Sequence, residues 1–351
     1  MGLTLTVDGP RWRDHLRSVA DANPGLVPVV KGNGYGLTIG RLARRSQWLG
    51  VDTIAVGTYE ELPEVASRFD GSLLVLTPWR PFVPDLEPAL ADRVIHTVGR
   101  VSDVEALLDR QPRARMVLEL LTSMQRHGFS PRGLWEAADH LRHRAPGHRL
   151  EGLALHLPLA QGSHLGEVRR HLNDAVAAGL EGLDTVWVSH LTADELASLR
   201  SSYADFTIRP RSGTGLWLGD RSALSVTATV LDVHELERGD AFGYRSRTAP
   251  KSGHLLSVSG GTAHGIGLAA PTGDSSIKAR ASTLARGGLD AVGFVRSPFS
   301  IDGKQRLFAE PPHMQASMLF LPAGARVPEV GERIDVRVRY TATTFDRITV
   351  T

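Results

Sequence analysis

Not one of the 351 residues is a cysteine, which excludes disulfides, thiolate metal sites and cysteine nucleophiles. No apolar run approaches the ~20 residues that a membrane-spanning helix requires. The opening Met1-Gly-Leu-Thr does not have the pattern of a secretory leader. A cytoplasmic protein with no membrane partner is therefore expected. Charge of one sign is also lacking: 40 basic residues face 38 acidic ones, a formal net charge of +2. No basic run with interleaved aromatics is present, so nucleic acid is not an expected partner. What remains is an ordinary globular composition, 42% hydrophobic and 22% charged. The length exceeds what one core comfortably fills and predicts two domains.

The most informative stretch is Val29-Val-Lys-Gly-Asn-Gly-Tyr-Gly36. An apolar run ends on one lysine, followed by alternating glycines and a tyrosine. Lys31 is expected where a buried strand opens into a turn, a place where its ammonium is desolvated and its amine made more nucleophilic. The glycines let backbone approach a bulky group closely. A Schiff base to pyridoxal phosphate fits this pattern, as does a phosphate contact or a solvated loop lysine.

Eight short β-rich runs precede position 215, at 26–30, 53–56, 73–76, 94–97, 116–120, 153–157, 186–188 and 206–208. Between them lie amphipathic stretches with apolar residues three and four apart, for example 39–50, 101–110, 132–144, 166–179 and 193–201. Strand followed by helix, repeated eight times, predicts an α/β fold with a (β/α)8 TIM-like barrel over 8–218. A doubly wound sheet alternates in the same way and is the runner-up. In a barrel the residues at the strand exits gather on one rim; here they are Lys31, Thr58, Thr77, His96, Glu119, His156, Ser189 and Arg211, all polar. From 219 to 351 the pattern changes to strands at 225–233, 253–258, 291–295, 318–321 and 333–340 between Gly and Pro turns, which predicts a C-terminal all-β domain. Residues 260–276 read as a long loop. A strand within residues 1–7 is expected to pack on this second domain.

A lysine-bearing barrel followed by a β domain resembles the fold-type III pyridoxal-phosphate enzymes, and the chain resembles the alanine racemase family over most of its length. Val30-Lys-Gly-Asn-Gly-Tyr-Gly36 is similar to the family's cofactor-lysine motif, which makes Lys31 the Schiff-base lysine and puts Tyr35 near the phosphate. Thr122-Ser-Met-Gln-Arg-His-Gly128 resembles the fifth-strand motif, with Arg126 contacting the cofactor's phenolic oxygen and the substrate carboxylate. His156 matches the histidine that stacks on the pyridine ring. Arg211-Ser-Gly-Thr-Gly215 resembles the motif whose arginine faces the ring nitrogen. The amides near Gly213 and Thr214, with Ser189, would then bind phosphate. Gly239-Asp-Ala-Phe-Gly-Tyr244 matches the segment of the second catalytic base, and His313-Met-Gln-Ala-Ser-Met318 the one whose methionine amide, here of Met314, holds the substrate carboxylate.

The resemblance implies pyridoxal 5'-phosphate as cofactor, an amino acid as substrate and a head-to-tail homodimer in which the tyrosine comes from the partner subunit. It implies racemisation by two bases, Lys31 for the D-face proton and Tyr244 for the L-face, with no metal. A tyrosine serving as a base needs help from a neighbouring cation or histidine, and His156 is the candidate. Arginine keeps its proton, so Arg211 can only donate to the ring nitrogen, which weakens the electron sink and favours rapid reprotonation over side reactions.

The chain also departs from the family pattern. Glu119 stands where the family commonly has a lysine, often carbamylated, and is read as an ion-pair partner of Arg126. Gln315 replaces an aspartate, Gly261-Thr-Ala-His-Gly265 a tyrosine-bearing loop, Pro311 an arginine at the entrance, and Gln161 an acidic gate residue. By Thr351 no clear counterpart of the family's phosphate-contacting C-terminal tyrosine has appeared, with Tyr340 and Phe345 as possible substitutes. These changes concern access, so a wider entrance and a substrate other than alanine are expected. Competing readings are a fold-type III aldolase, lyase or decarboxylase, for which His264 and His313 are the metal-ligand candidates of an aldolase, and a catalytically silent cofactor-binding homologue.

Overall fold

The computed structural model describes residues 2–144, 149–159, 162–180, 183–268 and 295–351. They form two compact units, one of Asp14–Gly219 and one of Met1–Arg13 with Asp220–Thr351.

In the first unit, eight parallel strands close into a barrel: Val27–Val30, Thr53–Val56, Ser72–Val75, Val94–Val98, Arg115–Leu120, Arg149–Leu155, Thr185–Ser189 and Thr207–Ser212. The last pairs back to the first through Val27 with Arg211 and Pro28 with Ser212. All eight expected runs are strands, and the barrel, not the doubly wound sheet, is the fold. The sixth strand begins four residues earlier than its apolar run, because Arg149 and Leu150 already pair with Arg115 and Met116 ahead of an irregularity in register. The eighth continues through Arg209-Pro-Arg211, a stretch too polar to read as strand. Each strand is followed by a helix, and Ile39–Leu49, Val101–Arg110, Pro131–Arg144, Leu165–Ala177 and Ala193–Ser202 match the amphipathic stretches. Leu62–Ala66, Pro88–Ala91 and Thr214–Leu218 are shorter than two turns and leave no helical period to detect. Asp194 and Glu195 do lie in a first helical turn, where Thr192 and Glu195 form a capping box.

The barrel interior is filled by inward-facing residues of successive strands, Val27, Val29, Ala55, Leu74, Ile95, Val117, Ala154 and Trp187. It is a packed core, so chemistry is confined to the rim.

The second unit holds an eight-stranded sheet in the order Gly253–Ser259, Ala316–Pro322, Lys304–Phe308, Arg296–Ile301, Arg333–Val336, Leu224–Leu236, Thr4–Val7 and Arg347–Val350. Leu224–Leu236 is 13 residues long. It pairs with Arg333–Val336 through Thr227–Thr229 and with Gly253–Ser259 from Val230 onward, closing six strands into a circuit. The strand expected at 291–295 falls on 291–294, outside the described residues; the strand that follows is Arg296–Ile301. The expected loop at 260–276 is described as far as Leu268, where it holds the short turn Thr262–His264.

Because Leu74 is fully buried in the barrel core, Leu74→Ala should cost about 2–5 kcal/mol. Urea unfolding should register this as a lower midpoint with an unchanged slope.

Candidate active site

Lys31 follows the last residue of the first barrel strand and is solvent-accessible at the rim. Surrounding protein still desolvates it in part, and this burial, joined by Arg126 and then Arg211, holds its ammonium below the ordinary lysine value, with Glu61 pulling the other way. The loop that carries Lys31 is held by that same Glu61. One carboxylate oxygen accepts the Gly32 N–H at 2.7 Å and the other accepts the Gly57 N–H at 2.7 Å. One side chain thus ties together the exits of the first two strands. Sequence reasoning did not single out Glu61, because its role exists only once two distant glycine amides are neighbours.

Tyr35 is buried four residues beyond Lys31, with a left-handed φ of 55°. Its hydroxyl lies so close to Gly213 that a Cβ there would stand 2.0 Å from it. Burial, with Glu61 adding to it, pushes the Tyr35 phenol up to about 12, so it is a neutral donor. Gly213 opens the helix Thr214–Leu218, whose first amides have no partner within the helix. The indole Nε1–H of Trp217 donates to the Val29 carbonyl at 2.7 Å, which fixes this turn against the strand of Lys31. Tyr35, Gly213 and Thr214 therefore bring a phenol and helix-opening amides together, a set of hydrogen-bond donors of the kind that suits an anion.

Arg211 lies deeper. Its side chain is 3% exposed and that of Glu119 is 4% exposed, with Nη1 3.7 Å from the carboxylate. The Nη2 group donates to the Leu155 carbonyl at 2.9 Å, and Nε is buried without a hydrogen-bond partner among the described residues. Sequence analysis pairs Glu119 with Arg126, but the structure places Arg211 within ion-pair distance; Arg126 acts on Glu119 only through its charge. The reason is topological: Arg211 points inward from the eighth strand, whereas Arg126 rides an exposed loop. Burial pushes the Glu119 carboxyl up, against the pull of both arginines.

Arg126 sits on a turn that folds back onto the end of the fifth strand, through Leu121 N–H to Phe129 O at 2.9 Å and Phe129 N–H to Glu119 O at 2.8 Å. Gly128, at φ 130°, allows the approach, since a Cβ there would lie 2.5 Å from the Leu120 carbonyl carbon. Glu167 holds the turn from the other side by accepting from the Ser123 hydroxyl at 2.8 Å.

His156 shares a hydrogen bond between its Nδ1 and the Ser189 hydroxyl at 2.9 Å, and its ring lies 5.0 Å from that of His190. Burial, then Arg211 and Arg126, pushes it down to about 3, so the ring is a neutral imidazole. Ser189 was expected at the phosphate. It is buried, where its hydroxyl accepts the Leu157 N–H at 3.3 Å and meets His156. His96 is not a rim residue: it is buried mid-strand against the Tyr59 hydroxyl at 2.8 Å.

The β unit carries the other expected residues. Tyr244, between the short strands Ala241–Phe242 and Arg247–Thr248, is 86% exposed, and Met314 is 67% exposed. Both line a cavity of about 630 Å³ together with Thr262, Pro311, His313 and Gln315. The Met314 carbonyl accepts the Ala263 N–H at 3.0 Å. His264 is buried 3.1 Å from Asp346, and His313 lies 2.6 Å from Glu310, so each proposed metal ligand has a carboxylate partner. Tyr340 is stacked under Arg221. Gln161 lies outside the described residues.

A pyridoxal-type cofactor fits the barrel rim. A destabilised ammonium, a set of donors that suits an anion and an orphaned buried guanidinium N–H face a common end of the barrel.

Comparison with known proteins points the same way. Residues 11–213, more than half of the chain, match the family model of the alanine racemase N-terminal domain. The alanine racemase of Nitratidesulfovibrio vulgaris is 26% identical over 271 residues, 72% of this chain and 72% of that protein. That of Nitrosococcus oceani is 26% identical over 254 residues, covering 68% and 69%. Among solved structures, alanine racemase from Bartonella henselae with covalently bound pyridoxal phosphate superposes with a TM-score of 0.74 at 16% identity, covering 100% of both chains. The enzyme from E. faecalis gives 0.69 at 20% identity, covering 100% of this chain and 98% of that one. Each solved structure is alike in fold.

The lowered Lys31 value has a measurable sign. Between its folded value and the ordinary 10.5 the unfolded chain binds more protons. Stability should therefore rise with pH through that window, and the rise should shrink in Lys31→Met when denaturation is followed against pH. Glu61→Gln removes the one carboxylate pulling Lys31 upward, so reductive methylation of Lys31 against pH should titrate lower still.

Proposed function

The chain belongs to the alanine racemase family, and from that premise we propose that it is an amino-acid racemase with two proton carriers, Lys31 and Tyr244. Pyridoxal phosphate is the cofactor. When bound, it draws electrons from the Cα of an amino acid, so that the Cα proton becomes removable.

Lys31 would hold the group through its Nζ, which burial and two neighbouring arginines already bias toward the neutral, nucleophilic amine. The place of Lys31, directly after the first barrel strand and on the loop that Glu61 anchors, is the observation that carries the reading. Tyr35, Gly213 and Thr214 would receive the phosphate. Arg211 would offer its free Nε–H to the ring nitrogen, with Glu119 and the Leu155 carbonyl fixing the guanidinium. Arg126 would meet the substrate carboxylate, and neutral His156, oriented by Ser189, would lie along the ring face.

For racemisation, Lys31 Nζ exchanges a proton with one face of Cα and the Tyr244 oxygen with the other. One proton is taken and one delivered, so the reaction is balanced. The exposure of Tyr244 supports its supply to the barrel of a second copy, in the head-to-tail dimer that the resemblance implies. Met314 would offer its amide to the same carboxylate. The cavity beside Tyr244 is bordered by Thr262 and Pro311. These are smaller than the tyrosine and arginine found at the family's entrance, which supports a substrate larger than alanine.

The test is an absorbance spectrum of the protein with pyridoxal phosphate, wild type beside Lys31→Ala, followed by solvent-deuterium exchange at Cα over a panel of L- and D-amino acids. A long-wavelength band that is lost in the variant, with exchange from both enantiomers, is expected. Absence of the band overturns the cofactor assignment, and exchange from one enantiomer only overturns racemisation. Turnover of alanine as fast as that of larger or basic amino acids overturns the wider substrate.

A further inference from the structure

We propose that Glu310 and His313 are positioning residues for Tyr244, a carboxylate–imidazole pair that fixes both the backbone and the ring of the second proton carrier. This rests on the reading of Tyr244 as a base, and neither residue belongs to the set on which that reading was built.

Glu310 follows the strand Lys304–Phe308 and is 3% exposed, an unusual place for a carboxylate in a sheet of this kind. Burying such a group is costly unless its oxygens are occupied. Both are. Oε1 lies 2.6 Å from Nε2 of His313, and Oε2 accepts the Tyr244 N–H at 3.0 Å. Gly243 leaves the space this needs: it turns the chain at φ 72°, and a Cβ there would stand 2.2 Å from Oε2.

The ring is addressed separately. The Tyr244 ring centroid lies 4.6 Å from that of His313, at a tilt of 55°. Through Nε2, the carboxylate fixes the plane and tautomer of the imidazole, which then serves as a fixed wall for the phenol. His313 is itself tied down, since its N–H donates to Ala316 O at 2.9 Å and its carbonyl accepts from Thr262 N–H at 2.7 Å. An exposed tyrosine in the loop between two strands of only two residues each would otherwise sample several rotamers. One buried carboxylate here holds the backbone directly and the ring by way of His313. Misplacing a reacting atom by about 1 Å can cost ~100-fold in rate, so such support is a kinetic matter as well as a structural one.

The test uses the holoenzyme and five proteins: wild type, Glu310→Gln, His313→Gln, Tyr244→Phe and the double variant Glu310→Gln with Tyr244→Phe. Racemisation kcat and KM are measured beside Cα deuterium uptake with retained configuration on the Lys31 face. Glu310→Gln and His313→Gln should lower kcat by roughly 10- to 100-fold with KM within about twofold, while retained-configuration exchange stays near wild type. Tyr244→Phe should give the same split more strongly, and adding Glu310→Gln to it should cost nothing more. Unchanged racemisation in both pair variants overturns the proposal, as does an equal loss of exchange and racemisation in folded protein. Should Glu310→Gln fail to fold, the half-exposed His313→Gln carries the test alone. Intact racemisation in Tyr244→Phe is a different result: it removes the base reading itself.

Discussion

Burial of charge beside other cations is the constraint on which the barrel rim depends. Burial first, and then the charges of Arg126 and Arg211, lower Lys31, His127 and His156 together. The deeply buried counter-charge is Glu119, which answers Arg211 first. Glu61 answers at the rim while holding two glycine amides. The outcome is a barrel rim at which imidazoles stay neutral and a lysine is biased toward its free amine. An anionic group is welcome there for electrostatic reasons before any specific contact is made.

Burial divides the labour between the two arginines. Arg211 is locked by a carboxylate and a carbonyl, and it can do little except present one N–H in a fixed direction. Arg126 stands on an exposed turn that its own strand and Glu167 hold in place. A fixed donor suits a permanent resident; an accessible cation on an anchored turn suits something that comes and goes.

The fold was legible because barrel strands are short, apolar and regularly spaced, and because their helices repeat at three and four residues. Residues whose motif lies in local sequence were legible too, such as Lys31 with its glycines. What stayed hidden depends on contacts that local sequence does not encode. The helices after the second, third and eighth strands are too short for a period to emerge. Arg209-Pro-Arg211 hides a strand because the barrel pairs it regardless of polarity. Glu61 and Glu310 each bridge a near group, Gly57 or His313, to an amide far away in the chain, that of Gly32 or Tyr244, and the far partner is what no spacing rule finds. The choice of Arg211 over Arg126 for Glu119 turned on which strand points inward, and the bond of Ser189 to His156 was not legible because a hydroxyl at a strand exit can face several partners equally well.

The closeness of Tyr35 to Gly213 has a consequence for how this chain can change over time. A hydroxyl 2.0 Å from where a Cβ would stand makes the two positions one locus in practice. A larger residue at 213 is admissible only after 35 has shrunk, and a smaller residue at 35 opens a hole that 213 alone can refill. The order of substitutions therefore matters as much as their identity. Descendants that lose the phenol first can explore a different donor set, whereas those that keep it are bound to the glycine.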